Sequence, residues 1–177
     1  MLKLRFTLLV TLLISLLIVI LGFAGCLNSG KLSTVEYNNK IVETLNKTSA
    51  AIETTTQIYD STVPNVVTEE AIIDSLALTA SYEAAKKEII AAETTLTTLK
   101  SKNVEQIQNV QPEFTNYITL GKNYLATYET MMQYYSDKSF AENLDKVTEY
   151  DNQLHQQYND FITSNNRLVD ILAQYVS

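Results

Sequence analysis

Beyond residue 30 the chain has one glycine, Gly121, and two prolines, Pro64 and Pro112. No other feature limits its fold so strongly. A β-sandwich of this length needs turn chemistry about every 8–12 residues, and the residues that supply it are missing. Long stretches rich in Ala, Leu, Glu, Lys and Gln repeat apolar positions every three or four residues instead, which is the pattern of amphipathic helices. The expectation is an all-α chain.

The two prolines and the capping chemistry divide that chain. Ser33-Thr34-Val35-Glu36 reads as a capping box, in which the Ser33 hydroxyl takes a free amide and Glu36 reaches back to the cap. A first helix is expected over 33–62, with a stripe of Val35, Val42, Leu45, Ile52 and Tyr59 interrupted by the polar Asn38, Ser49 and Thr56, ending before Pro64. A second is expected over 68–103, starting near Thr68 with Glu69 and Glu70 suited to a helix N-terminus. Its row of Ala71, Ser75, Leu78, Tyr82, Ala85, Ile89, Ala92, Leu96 and Leu99 alternates fours and threes, the seam of coiled-coil-like packing. Beyond Lys102, Val104, Ile107 and Val110 either extend this helix or form a connection. A third is expected over 112–136 with Pro112 as its first residue. It carries one row through Phe114, Ile118, Gly121, Leu125, Tyr128, Met132 and Tyr135, and a second through Tyr117, Tyr124, Met131 and Tyr134. A fourth, over 139–176, opens on the capping box Ser139-Phe140-Ala141-Glu142 and runs through Leu144, Val147, Leu154, Tyr158, Phe161, Leu168, Leu172 and Tyr175. Short connections favour antiparallel neighbours, so the fold expected is an up-down-up-down four-helix bundle over 33–177, on the order of 40–55 Å long.

The first 25 residues read differently. Lys3 and Arg5 precede an uncharged apolar run from Phe6 to Ala24. This is the layout of a secretory signal, and its length also approaches the ~20 residues of a membrane span. The run ends Phe23-Ala24-Gly25-Cys26, which resembles the lipobox of prokaryotic lipoproteins: Ala24, Gly25 and Cys26 match, and Phe23 stands where Leu is usual. The resemblance implies cleavage before Cys26, lipidation of its thiol, and a location at the cell membrane or envelope facing away from the cytoplasm. An uncleaved N-terminal helix as the anchor is the alternative, and the basic start favours the same orientation. Residues 26–32 are then a tether of about 20 Å at full extension, which keeps the bundle at the membrane. No second apolar span follows in this sequence. Bundles of this shape are similar to chemoreceptor sensor domains, which use such a span to pass a signal inward.

Charge and composition narrow the function classes. The chain has 13 Lys+Arg against 20 Asp+Glu and a formal charge of −7. With no basic cluster, nucleic acid is not an expected partner. The lone cysteine rules out an internal disulfide framework. The single histidine, His155, has Asn152 three residues before it, so the Glu-x-x-His pairs of a dinuclear carboxylate bundle are missing. The Thr54–Thr56 and Thr94–Thr98 tracts lie within helices, with no strand-turn-helix elbow to present a nucleophile, and no glycine-rich phosphate loop occurs. Asn46-Lys47-Thr48 matches the glycosylation acceptor pattern, a triplet common by chance in such a chain. Neither catalytic residue, metal site nor cofactor is expected.

Two function classes follow. In the first, the protein is a non-enzymatic, lipid-anchored interaction or adaptor module docking to an envelope protein. In the second, it binds a small molecule in a cleft between the third and fourth helices lined by Tyr124, Tyr128, Met131 and Tyr158. The polar seam residues Asn38, Thr56, Asp151 and Asn165 either line a pocket, bond the buried tyrosines or set helix register.

Overall fold

The structure, a computed structural model, describes residues 31–64, 73–100 and 107–175. The N-terminal run, Cys26, Thr68, Ala71 and Val104 lie outside the described residues. Within them the chain is all-helical: α1 (Thr34–Thr62), α2 (Ser75–Lys100), α3 (Ile107–Ser136), a 3-10 turn (Ser139–Glu142) and α4 (Leu144–Ala173).

Helix α1 begins as its sequence predicts. The Glu36 amide donates to Ser33 Oγ at 3.2 Å, and the Ser33 amide donates to the Glu36 carboxylate at 2.9 Å. These bonds satisfy two amides left without helical partners and hold the Glu36 carboxyl below its ordinary range. Val63 is extended before Pro64 and ends the helix.

The other starts differ from expectation. Helix α2 begins at Ser75, not Thr68: Ile73 and Asp74 are non-helical, and Asp74 Oδ1 accepts the amides of Leu76 at 3.1 Å and Ala77 at 3.2 Å. Asp74 thus places a carboxylate on the free amides at the positive end of the helix. Helix α3 begins at Ile107, so Pro112 lies inside it and not at its first position. The ring removes one bond of the helical ladder. Val110 and Phe114, both fully buried, offset that loss by packing into the core on either side of it.

The expected capping box at 139–142 does not form. Lys138 takes a left-handed conformation with φ 60°, the Ser139 amide goes to the Asp137 carboxylate at 2.8 Å, and Ser139–Glu142 makes the 3-10 turn. Phe140 is buried with its ring against the edge of Tyr135 at 5.8 Å, so packing of the phenyl group sets the turn and α4 waits until Leu144.

Cross-helix contacts run in opposite order along each adjacent pair. Thr44, Thr48 and Thr55 of α1 meet Thr95, Glu88 and Ser81 of α2 in turn. Ser81 and Glu93 of α2 meet Tyr128 and Lys122 of α3, and Glu113 and Tyr134 of α3 meet Ser164 and Tyr150 of α4. Adjacent helices are therefore antiparallel, and one core fills the space between them. Contact along the α1–α4 edge is the narrowest of the four.

The α2 row from Leu78 to Leu99 is buried as its spacing predicts. On α1, Leu45, Ile52 and Tyr59 are buried as expected, but at its start Val35 is 52% exposed while Tyr37 and Ile41 are fully buried. Gly121 sits where α2, α3 and α4 converge. A Cβ there would stand 2.4 Å from Ile89 Cδ1 and 3.3 Å from Phe161 Cε2, which is why a glycine occupies a helix interior.

Candidate functional site

Helix α3 projects its tyrosines at heptad spacing into the centre of the bundle, and α1 presents small hydroxyls at the same spacing. Ser49 meets Tyr117 at 2.8 Å and Thr56 meets Tyr124 at 2.8 Å, both across a sequence separation of 68. Ser81 of α2 meets Tyr128 at 3.0 Å. Each small hydroxyl has one proton, and each spends it elsewhere: Ser49 on the Asn165 side-chain oxygen, Thr56 on the Ile52 carbonyl, Ser81 on the Leu78 carbonyl. The tyrosines are thus the donors. Burial raises the pKa of all three, with Tyr128 pushed up to about 12, so they stay neutral and able to donate.

These contacts account for three of the polar seam residues. Thr56 accepts from Tyr124, Asn165 accepts from Ser49, and Asp151 accepts from Tyr59 at 3.0 Å. The fourth, Asn38, is buried with its amide unpartnered among the described residues, as is the Tyr37 hydroxyl.

The expected ligand-cleft residues come together, but as packed core. Tyr124, Tyr128 and Met131 are fully buried, and Tyr158 is half-buried with its ring 6.4 Å from that of Tyr124, which lies 6.0 Å from Tyr128. The ring of Tyr82 stacks on Tyr128 at 6.2 Å and that of Tyr59 lies 5.8 Å away, so aromatic side chains occupy the space beside them. An open groove of about 490 Å³ lies elsewhere, between α1 and α2, bordered by Lys40, Thr44, Lys47, Glu88, Thr95 and Thr98.

Two polar clusters escaped the sequence reading. At the narrow α1–α4 edge, His155 Nε2 lies 3.1 Å from Asp60 Oδ1 and its Nδ1 2.8 Å from the Asp151 carbonyl. Hydrogen bonding to Asp60, opposed by partial burial, pushes the imidazole pKa up to about 9, so near neutrality the ring is cationic and both nitrogens donate. Tyr59, bonded to Asp151, sets its ring against the histidine at 6.3 Å. The i, i+4 spacing of Asp151 and His155 was a local signal; Asp60, 95 residues distant, was not. Between α3 and α4, Glu113 is only 8% exposed and accepts from Ser164 Oγ at 2.9 Å and Arg167 Nε at 3.2 Å.

The surface feature the sequence analysis did not single out is a second row on α2. Leu76 is 81% exposed and Ile90 54%, and Ala80, Glu83, Lys87 and Thr94 are exposed along the same line. Among the described residues no group of three or more His, Cys, Asp or Glu could hold a metal ion, and no helix is long and apolar enough to cross a membrane. Comparison of the chain with protein-family models, curated proteins and solved structures finds no match.

Proposed function

We propose that this chain is a non-enzymatic interaction module, anchored through a lipid on Cys26 and held outside the cytoplasm, whose bundle surface docks to another envelope protein. The observation that carries the reading is where unspent contact capacity lies. In the core, the hydroxyls of Tyr117, Tyr124 and Tyr128 are committed to α1 and α2. On the surface, α2 leaves Leu76 81% and Ile90 54% exposed. The lipobox-like Phe23-Ala24-Gly25-Cys26 supports the anchor, and the short tether supports action close to the membrane.

Chemical crosslinking and affinity isolation of the intact protein from its native membrane, read by mass spectrometry, tests both parts. The expected result is an envelope protein recovered in near-equal amount together with a lipid-modified Cys26 peptide. Recovery with no other protein would overturn docking, and an unmodified Cys26 peptide would overturn the lipid anchor.

A further inference from the structure

The exposed row of α2 follows Leu76, Ala80, Glu83, Lys87, Ile90 and Thr94, stepping four, three, four, three, four. The buried row of the same helix, Leu78, Tyr82, Ala85, Ile89, Ala92 and Leu96, has the same steps two residues further on. Helix α2 thus carries, opposite its buried seam, an exposed row of the same spacing in which Leu76, Ala80 and Ile90 flank the charged Glu83 and Lys87. One seam is filled by the core and the other faces water along about 27 Å of helix.

We propose that the open seam pairs with the same seam of a second copy of this chain, antiparallel, about a two-fold axis beside position 85. A two-fold interface must be complementary to itself, and this row is. The axis sets Glu83 of each copy against Lys87 of the other, Ala80 against Ile90, and Leu76 against Thr94, so acid meets base and each large apolar side chain meets a smaller one. A parallel pairing in register would set Glu83 against Glu83 and Lys87 against Lys87. Sliding the antiparallel pair by a heptad would set the charges against Thr94 and Ile90.

Both charges are available for the purpose. The ion pairs among the described residues join Glu43 to Lys47, Glu93 to Lys122, Glu113 to Arg167, and His155 to Asp60 and Asp151; Glu83 and Lys87 take part in none. The adjacent Lys86 lies over the Tyr82 ring at 5.1 Å and feels the Glu83 carboxylate without forming an ion pair with it. Ala84 and Ala91, exposed beside the row, leave room for two helices to approach closely. The pairing takes the open face of the docking reading and assigns it to a second copy of this chain, not to another protein. It rests on that reading for the anchor, which would confine both copies to one surface and raise their effective concentration.

The test uses the full-length protein in membranes with Thr94 replaced by the photo-crosslinker p-benzoylphenylalanine, because position 94 would face Leu76 of the second copy. Irradiation is expected to give a covalent dimer whose linked peptide contains Leu76. Glu83→Lys or Lys87→Glu alone would create like-charge contacts at two symmetric places and cut the dimer yield about tenfold. Glu83→Lys with Lys87→Glu would restore it, which also shows that the single variants did not simply misfold. A monomeric parent, linkage to another face, or single reversals that leave the yield unchanged would overturn the pairing. The two readings fail separately: an envelope partner recovered without an α2–α2 link sinks the pairing alone, and an α2-linked dimer recovered with no other protein sinks docking to another protein alone.

Discussion

Gly121 shows how one missing methyl group lets three helices meet. Replacing it with alanine improves helix propensity by about 1 kcal/mol, but the new Cβ would fall 2.4 Å from Ile89 Cδ1, inside a filled core. Overpacking of that kind costs roughly 1–3 kcal/mol, so Gly121→Ala is expected to lower stability in urea unfolding. Adding Ile89→Val removes the offending Cδ1, and the pair is expected to be more stable than Gly121→Ala alone. Equal stability of the two would show that the glycine is not kept for space. A second residue-scale expectation concerns His155, the only histidine, whose ring resonances are therefore unambiguous in NMR. Its titration midpoint should lie near pH 9 and fall toward 6.5 in Asp60→Asn, since Asp60 is the main cause of the shift. Because the folded pKa lies above the free value, the stabilisation is fully present below about pH 6.5 and is lost as pH rises through about 9. Both partners are more than a third exposed, so the contribution is held to about 1 kcal/mol or less.

At the scale of elements, helix starts are decided by competition between local chemistry and burial. Ser33 and Glu36 act within a single turn, so the sequence alone reveals their box. Ser139 and Glu142 have the same spacing, yet the Ser139 amide goes to Asp137 and Phe140 is drawn into the core, and the box fails. Pro112 is a sound first residue for a helix taken in isolation, but burying Val110 carries α3 back to Ile107. A consequence can be measured. Pro112→Ala supplies the missing amide and lets it donate to the Gln108 carbonyl, so unfolding free energy is expected to rise by about 1–3 kcal/mol. If α3 instead began at Pro112, the substitution would leave stability unchanged or lower it.

Across the whole molecule, the core joins its helices through polar bonds as well as apolar packing. The α1 hydroxyls and α3 tyrosines couple opposite helices at two successive heptads, and the Asp60–His155–Asp151 group joins the narrow α1–α4 edge. The all-α class, the buried row of α2 and the cap at Ser33 were legible in the sequence, because periodicity and capping depend on residues a few positions apart. The burial of Tyr37 and exposure of Val35 at the start of α1 were not, since each side chain is apolar enough for either face. The tyrosine zone was legible as a cluster, but whether it encloses a cleft depends on what fills the space beside it. There the rings of Tyr59 and Tyr82 and the hydroxyls of Thr56 and Ser81, all from other helices, take the positions a ligand would need. The sequence by itself thus determined the all-α class, the cap at Ser33 and the buried row of α2, through short-range repetition. Only the tertiary structure decided where Pro112 falls within its helix, that His155 is cationic, and that the tyrosine hydroxyls are already bonded, because each of these depends on the packing of groups brought together from distant parts of the chain.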